Sequence, residues 1–326
     1  MPFKTYRANL HRLVLNNTSG DENTVHQTAS WYTGGGRDEF MKAFEHETGL
    51  RLGNRKDGAL VEQGYPKNIN EYPNKTAWDQ YYVANAHIAL RELDRLFPQG
   101  TPYPSQQAEV FYHNIVELSR NLFLDTIVLL EDWATLAQGT PGVFGIGKAR
   151  FEHGVAVYHS ALQVIYGNCS PHAFWHNYSD TSVNQLRMAI ELRLRRGFGI
   201  IAKQNKQGAI VPLALSDIIE VVARHKGSIQ FGSPFEHIDR LYQWANIYMH
   251  SGLKQYVWSP IYAIHYLRPF LLGGAYPGGT SSHAGIIAPY GVVKQIQSEV
   301  ESGINKAQYD LIFDDPQNCD LILKRP

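Results

Sequence analysis

Hydrophobic residues recur at helical spacing along much of this chain, and the clearest case lies between Ser233 and Gly252. Ser233 can cap a helix, Pro234 suits its first turn, and Glu236 has the spacing of a capping box. Gly252 is a typical helix end. The apolar face is made of residues three or four apart: Ile238, Leu241, Ala245 and Tyr248.

The same spacing predicts further helices over 38–48, 76–97, 105–137, 149–166, 182–196, 216–225, 259–272 and 292–304. Short strands are predicted over 7–15, 310–314 and 319–323, with a Gly-rich turn at 34–36 and a loop over 53–74. The fold class is therefore mainly α, an antiparallel helical bundle with small irregular or β additions at both termini. The predicted division is an N-terminal mixed region (1–75), a helical bundle domain (76–275) and a C-terminal α/β extension (276–326).

Composition and charge limit the classes of protein to which this chain can belong. The chain has 326 residues, of which 44% are hydrophobic, so it can bury a large core. Thirty basic and thirty acidic residues balance, which argues against a strongly basic nucleic-acid binder but leaves a local basic groove open. Two cysteines and an N-terminus without an apolar signal segment favour a reducing, cytoplasmic location.

The most apolar window, Tyr256 to Ala275, is about long enough to span a bilayer. It contains Pro260, His265 and Arg268, and a histidine or an arginine is costly at membrane depth. We therefore predict a buried or interface helix here and no membrane partner.

Polar residues form a stripe on each of two predicted helices. On the helix that begins at Ser233, the stripe is Asp239, Tyr242, Asn246 and His250. On the helix that begins at Ser182, it is Asn184, Arg187, Glu191 and Arg195. The second stripe can be a solvated row of ion pairs, but nonpolar residues on more than one side favour a partly buried, paired arrangement. A histidine such as His250, set among aromatic residues, is either structural or chemical.

Three other motifs are weaker. Gly142 to Ala149 has phosphate-loop spacing, but Ala149 replaces the Ser or Thr that would hold magnesium. Cys169, His172 and His176 have zinc-like spacing without an obvious fourth ligand, so they remain only an alternative metal site. The segment from Gly278 to His283 places hydroxyls beside an imidazole but lacks a nucleophile elbow. We predict no metal and no cofactor.

Two segments, Leu186 to Glu191 and Ala245 to His250, resemble the paired signature of helical domains of the HEPN superfamily. In that superfamily a helix with Arg-x-x-x-Glu packs beside one with Asn-x-x-x-His. The resemblance covers about 105–272 and implies an antiparallel helical bundle that dimerises; many members are metal-independent RNases. Catalytic members carry an Arg about five residues before the His, whereas Arg240 lies ten positions before His250.

The leading hypothesis is therefore an HEPN-like protein that binds or cleaves RNA without a metal, as a bacterial defence or toxin-type effector. His250, Asn246 and Arg187 would be catalytic, while Arg195, Glu191 and Tyr242 would contact RNA or a nucleotide. The alternative is a non-catalytic assembly subunit whose interface is the aromatic-rich segment from Tyr256 to Phe270. Either hypothesis predicts a homo-oligomer or a protein partner.

Overall fold

A computed structural model describes residues 2–12, 22–67, 74–98, 109–137, 179–211, 213–251, 256–273, 275–276, 279–280, 285–304, 306–313 and 322–324. Helices dominate these residues, which confirms the mainly α fold class. None of the helices in these ranges combines the length and apolar character needed to cross a bilayer.

The helices, in chain order, have the following bounds: α1 Pro2–Leu10, α2 Glu22–Trp31, α3 Arg37–Thr48, α4 Asp57–Gly64, α5 Lys75–Leu96, α6 Glu109–Ala137, α7 Ser179–Gly197, α8 Leu215–His225, α9 Phe235–Ser251, α10 Trp258–Leu272 and α11 Tyr290–Ser302. A single π-helical turn, Tyr32–Gly36, joins α2 to α3.

The strands are short and form three small sheets. Their bounds are β1 Ile200–Asn205, β2 Ile210–Val211, β3 Gln230–Phe231, β4 Ala275–Tyr276, β5 Gly279–Thr280, β6 Ile286–Pro289, β7 Tyr309–Phe313 and β8 Ile322–Lys324. Antiparallel pairing gives the order β2-β1-β7, with Lys203 opposite both Val211 and Leu311. In the order β3-β6-β8, β8 runs parallel to β6. β4 and β5 pair as a hairpin.

Contacts group the chain into two units, neither of which is one continuous stretch of sequence. Unit 1 contains 1–183 and 246–262, and unit 2 contains 184–245 and 263–326. The chain passes from one unit to the other within α7, α9 and α10. The three-part division inferred from the sequence stays a prediction.

Aromatic side chains fill the core of unit 1. Tyr6 is fully buried against the Phe40 ring, and its hydroxyl lies 2.7 Å from Thr126 Oγ1. Helix α5 contacts both α4 and α6, and its Asn85 accepts a hydrogen bond of 3.1 Å from Trp258 Nε1. The buried indole of Trp258 thus has its polar group satisfied, which fixes the start of α10.

Two buried aspartates of α6 also hold the beginning of α10. Asp125 Oδ2 accepts a hydrogen bond of 2.6 Å from the backbone N–H of Val257, and Asp132 Oδ2 accepts one of 2.8 Å from the Tyr256 hydroxyl. Both carboxylates come from one face of α6, seven residues apart. Since breaking a buried hydrogen bond is costly, these contacts hold the residues at the beginning of α10 against α6 within unit 1.

Unit 2 is centred on α8 and α11, whose apolar faces meet in its core. Ile218, Val222, Val293 and Ile296 are fully buried. At the edge of this contact, Glu299 accepts hydrogen bonds from Arg224 Nη2 at 2.9 Å and pairs with His225 Nε2 at 2.7 Å. A polar cluster of Glu299, Arg224 and His225 therefore lies at the outer edge of the core of unit 2.

Two glycines allow the β3–β6 strands to approach the end of α10. A Cβ at Gly285 would lie 2.0 Å from the carbonyl oxygen of Phe270, and one at Gly232 would lie 2.3 Å from that of Pro269. These carbonyl groups belong to the backbone and cannot move aside as the end of a flexible side chain can. Only glycine therefore fits at positions 232 and 285.

Several local predictions were wrong. The strand predicted from Arg7 is helix α1 in its described part. The loop predicted over 53–74 contains helix α4, which packs on α5 through Leu60 and Val61. At α9, the Ser233 hydroxyl donates to the carbonyl oxygen of Tyr266 at 3.2 Å instead of capping the helix, and Glu236 pairs with Lys226.

Candidate functional site

The polar stripe of α7 forms ion pairs along the helix. Glu191 Oε1 accepts a hydrogen bond of 2.7 Å from Arg195 Nη2. The other carboxylate oxygen of Glu191, Oε2, lies 3.5 Å from Arg187 Nη1. All three side chains are half-buried, and Arg195 also donates to the carbonyl oxygen of Leu213. The paired, partly buried interpretation of this stripe is therefore confirmed.

Arg187 also contacts the ring of Tyr242 on α9, within unit 2. The guanidinium carbon lies 5.3 Å from the ring centroid, and Nη2 is 3.4 Å from the Tyr242 hydroxyl. This distance is typical of a cation–π contact. Tyr242 is 5% exposed, so packing in the core fixes the position of the ring that Arg187 contacts. Glu191 and Tyr242 together fix the orientation of the Arg187 guanidinium.

Asn246 and His250 follow Tyr242 on the same helix, at steps of four residues, and belong to unit 1. His250 lies eight positions after Tyr242, which corresponds to about 12 Å along the helix axis. Asn246 is half-buried, whereas His250 is exposed in the last turn of α9. The opposite face of α9 is buried as predicted, since Ile238 is fully buried and Tyr248 is 6% exposed.

The predicted site residues therefore divide into two sets. Arg187, Glu191, Arg195 and Tyr242 form one bonded cluster in unit 2. Chemically, that cluster offers an oriented guanidinium, which suits binding of a phosphate oxygen. His250 offers an exposed imidazole, the side chain that most often exchanges protons near neutral pH.

The structure also contains a polar cluster that the sequence did not indicate, where α4, α5 and the first turn of α10 meet in unit 1. Arg95 Nη1 donates to Glu92 Oε1 at 2.6 Å, and the Arg95 guanidinium carbon lies 5.8 Å from the ring centroid of Tyr262. The Tyr262 hydroxyl donates to Asp57 at 3.2 Å, and Asp57 forms an ion pair with Arg91. A signal existed in the sequence, because Arg91, Glu92 and Arg95 share one turn of a helix.

Glu92 is the most perturbed carboxyl of this cluster. Its side chain is 3% exposed, and burial raises its pKa to about 7, although Arg95 and Arg91 act in the opposite direction. Burial disfavours the ionised form of a carboxyl group because a low-dielectric interior solvates charge poorly. Glu92 therefore changes its charge near neutral pH.

Three rings of the aromatic segment that the alternative hypothesis predicts as an interface are buried in the structure. Trp258 and Phe270 are fully buried and Tyr262 is 1% exposed, whereas Ile264 in the same segment is 39% exposed. These three rings are not available to a partner, and the assembly hypothesis itself stays a prediction. Most of the segment forms helix α10, and no helix among the described residues could cross a bilayer.

The alternative metal ligands, Cys169, His172 and His176, lie outside the described residues, as do the phosphate-loop-like segment 142–149 and His283. Among the residues that the structure does describe, no three His, Cys, Asp or Glu side chains form a group that could hold a metal ion.

Comparisons with protein-family models, with curated proteins and with solved structures gave no match to this chain. Function is therefore inferred from the side chains and their geometry.

Proposed function

We propose that this protein binds RNA and cleaves it without a metal ion, in the manner that its resemblance to the HEPN superfamily implies. The observation that carries the proposal is the exposed imidazole of His250, at the end of a polar stripe in which Tyr242 is buried and Asp239 and Asn246 are half-buried. A purely structural histidine at this position would be expected inside the core with hydrogen-bond partners. An exposed one is accessible to a substrate.

In the proposed reaction, His250 takes the proton from a ribose 2′-hydroxyl, and the 2′-oxygen attacks the adjacent phosphorus. The bond from phosphorus to the 5′-oxygen breaks and that oxygen takes a proton from water, which leaves a 2′,3′-cyclic phosphate and a 5′-hydroxyl. Asn246, one helical turn earlier, holds the imidazole or the substrate. In unit 2, the separate cluster of Arg187, Arg195, Glu191 and Tyr242 binds a phosphate and a nucleotide of the RNA through the Arg187 guanidinium.

The test is cleavage of a labelled RNA in EDTA by the wild type, His250→Ala and a matched control, His265→Ala. His265 is also exposed but lies on α10. Loss of a general base lowers the rate by about 100- to 10,000-fold, so His250→Ala should be nearly inactive and the control should cut normally. The products should end in a cyclic phosphate, and a 2′-deoxy substrate should not be cut. Cleavage of RNA by His250→Ala at the wild-type rate, or no cleavage by either protein, would reject the proposal.

A non-catalytic assembly role is the second candidate, and a different surface now favours it. Met188 is 55% exposed and Leu192 is 46% exposed, one helical turn apart on α7. Exposed apolar side chains in a row are typical of contact surfaces. The partner we infer is a second copy of this chain, because two-fold homodimers are the commonest oligomers. Light scattering of the wild type and of Met188→Lys/Leu192→Lys would test this: the wild type should have the mass of a dimer and the variant that of a monomer.

A further inference from the structure

Cationic side chains gather on the surface of unit 1, where the loop between α3 and α4 meets one turn of α5. The cationic cluster, as we define it, consists of Arg51, Arg55, Lys56, Arg91 and Arg95. Arg51, Lys56 and Arg95 are exposed, and the other two are half-buried. The cluster therefore presents several positive charges to solvent.

Hydrogen bonds hold the loop against α5. Arg91 Nη2 donates to the carbonyl oxygen of Arg55 at 2.6 Å, and His87 Nε2 lies 2.8 Å from that of Leu52. The guanidinium of Arg55 donates to Gln63 Oε1 at 2.6 Å. Because these bonds hold the loop backbone and the side chains of Arg55 and Arg91, the guanidinium groups of these two residues keep their positions without a ligand, which lowers the entropy cost of binding.

The neighbouring carboxyl groups do not cancel this charge. Asp57 pairs with Arg91, Glu92 pairs with Arg95, and Glu45 accepts a hydrogen bond from the backbone N–H of Leu52. Even when these three acids are ionised, the five cations exceed them by two. The pKa of His87 is lowered mainly by burial; its hydrogen bond to Leu52 acts in the opposite direction, and the charge of Arg55 lowers it further.

We propose that this cationic cluster binds the phosphate backbone of RNA. Arginine is the residue best suited to phosphate because its planar fork can donate two parallel hydrogen bonds. A lipid surface fits less well, since binding in the interface also needs apolar side chains that insert. Among the described residues, the large hydrophobic side chains that are exposed lie outside the cluster: Leu124, Met188, Leu192, Ile210, Met249, Ile264 and Tyr290. The choice of RNA as the polyanion rests on the proposed function.

The test replaces two cations whose loss leaves the loop intact. Arg51 and Lys56 are exposed, and in the described part of the chain their side chains take part in no hydrogen bond or ion pair; the carbonyl oxygen of Lys56, which accepts from the Leu60 N–H, is unaffected by the substitution. Arg51→Gln/Lys56→Gln therefore removes two charges and keeps the bonds of Arg55 and Arg91. Lys294→Gln/Lys306→Gln removes the same charge from exposed positions in unit 2 and is the matched control.

Binding is measured by fluorescence anisotropy with a labelled 2′-O-methyl oligouridylate of about twenty nucleotides, which cannot be cleaved through the 2′-oxygen. Each phosphate contact with a single strand contributes about 0.7 to the slope of log K against log salt. The cluster variant should lose about 1.4 from that slope, and its Kd at 0.1 M salt should rise about 25-fold. The control should keep the wild-type slope and Kd. Circular dichroism melts of both variants check that they fold.

The proposal is overturned if the wild type does not bind the oligonucleotide, or if the cluster variant binds with the wild-type slope and Kd. Binding to phosphatidylcholine vesicles with 30% phosphatidylserine but not to the oligonucleotide would also overturn it, in favour of a membrane.

The cluster proposal and the cleavage proposal can fail independently of each other. If binding depends on the cluster but neither wild type nor His250→Ala cuts RNA, the cluster stands and the cleavage proposal falls. If the wild type cuts RNA and His250→Ala does not, while the cluster variant binds with the wild-type Kd, the cleavage proposal stands and the cluster proposal falls.

Discussion

Replacing Glu92 by Gln should stabilise the protein at alkaline pH and have much less effect at acidic pH. The buried Glu92 side chain accepts a hydrogen bond from Arg95, and the amide oxygen of Gln can accept the same bond. The substitution therefore keeps the shape and the contact and removes only the ionisation. Any dependence of its effect on pH reports the cost of the buried charge.

The magnitude follows from the pKa. In the unfolded chain Glu92 loses its proton near its ordinary value of 4.5, whereas in the folded chain it keeps the proton to about 7. Between these values the folded state binds more protons, so the free energy of unfolding falls as pH rises. Each pKa unit is worth about 1.4 kcal/mol, which makes the full effect about 3 kcal/mol. Most of it, about 2 to 3 kcal/mol, develops between pH 5 and pH 8.

Urea unfolding of the wild type and Glu92→Gln at pH 5 and pH 8, followed by tryptophan fluorescence and circular dichroism, measures this difference. The gain in stability from the substitution should be about 2 to 3 kcal/mol larger at pH 8 than at pH 5. Arg95→Gln is the companion variant. Since the Arg95 charge lowers the pKa of Glu92, its loss should raise that pKa further and steepen the pH dependence. An equal effect of Glu92→Gln at both pH values would refute the reasoning.

Two further predictions concern stability. Gly285→Ala should destabilise the protein by about 3 kcal/mol or more, because its Cβ would collide with the carbonyl oxygen of Phe270. The control is Gly291→Ala, at a helical position with open space around it. This variant should be as stable as the wild type or more stable by up to about 1 kcal/mol. Equal melting temperatures for the two variants would contradict this. Asn85→Ala should cost about 1 to 3 kcal/mol in urea unfolding because it leaves the buried Nε1 of Trp258 without its acceptor, and an unchanged midpoint would show that this bond contributes nothing.

The amphipathic helices could be predicted from the sequence because hydrophobic spacing is a local property. Helix α9 was predicted to within two residues at each end, and α5 to within one. Helix α1 could not be, because in nine residues it buries only Tyr6 and Leu10, too few positions to define a period. Helix α4 has two glycines in eight residues, and it depends on packing against α5 that no local pattern reveals.

For the candidate site, the pairing of Arg187, Glu191 and Arg195 was predictable because partners four residues apart on a helix are neighbours. The contact between Arg187 and Tyr242 joins residues 55 positions apart, and only the fold brings them together. Glu92 looks like any surface glutamate in the sequence. Its raised pKa depends on burial, which no motif encodes.

Unit 1 has a consequence for synthesis of the chain on the ribosome. Its core needs Trp258 beside Asn85, Ser259 beside Tyr65 and Tyr262 beside Asp57, pairs that lie 173, 194 and 205 residues apart. At about 5 to 20 residues per second, the earlier residue of each pair waits roughly 10 to 40 seconds for its partner to be made. During that interval the aromatic face of α5 is incomplete and accessible to chaperones. A release of the nascent chain before about residue 262 should therefore yield an aggregating product, even though more than three quarters of the chain is already present.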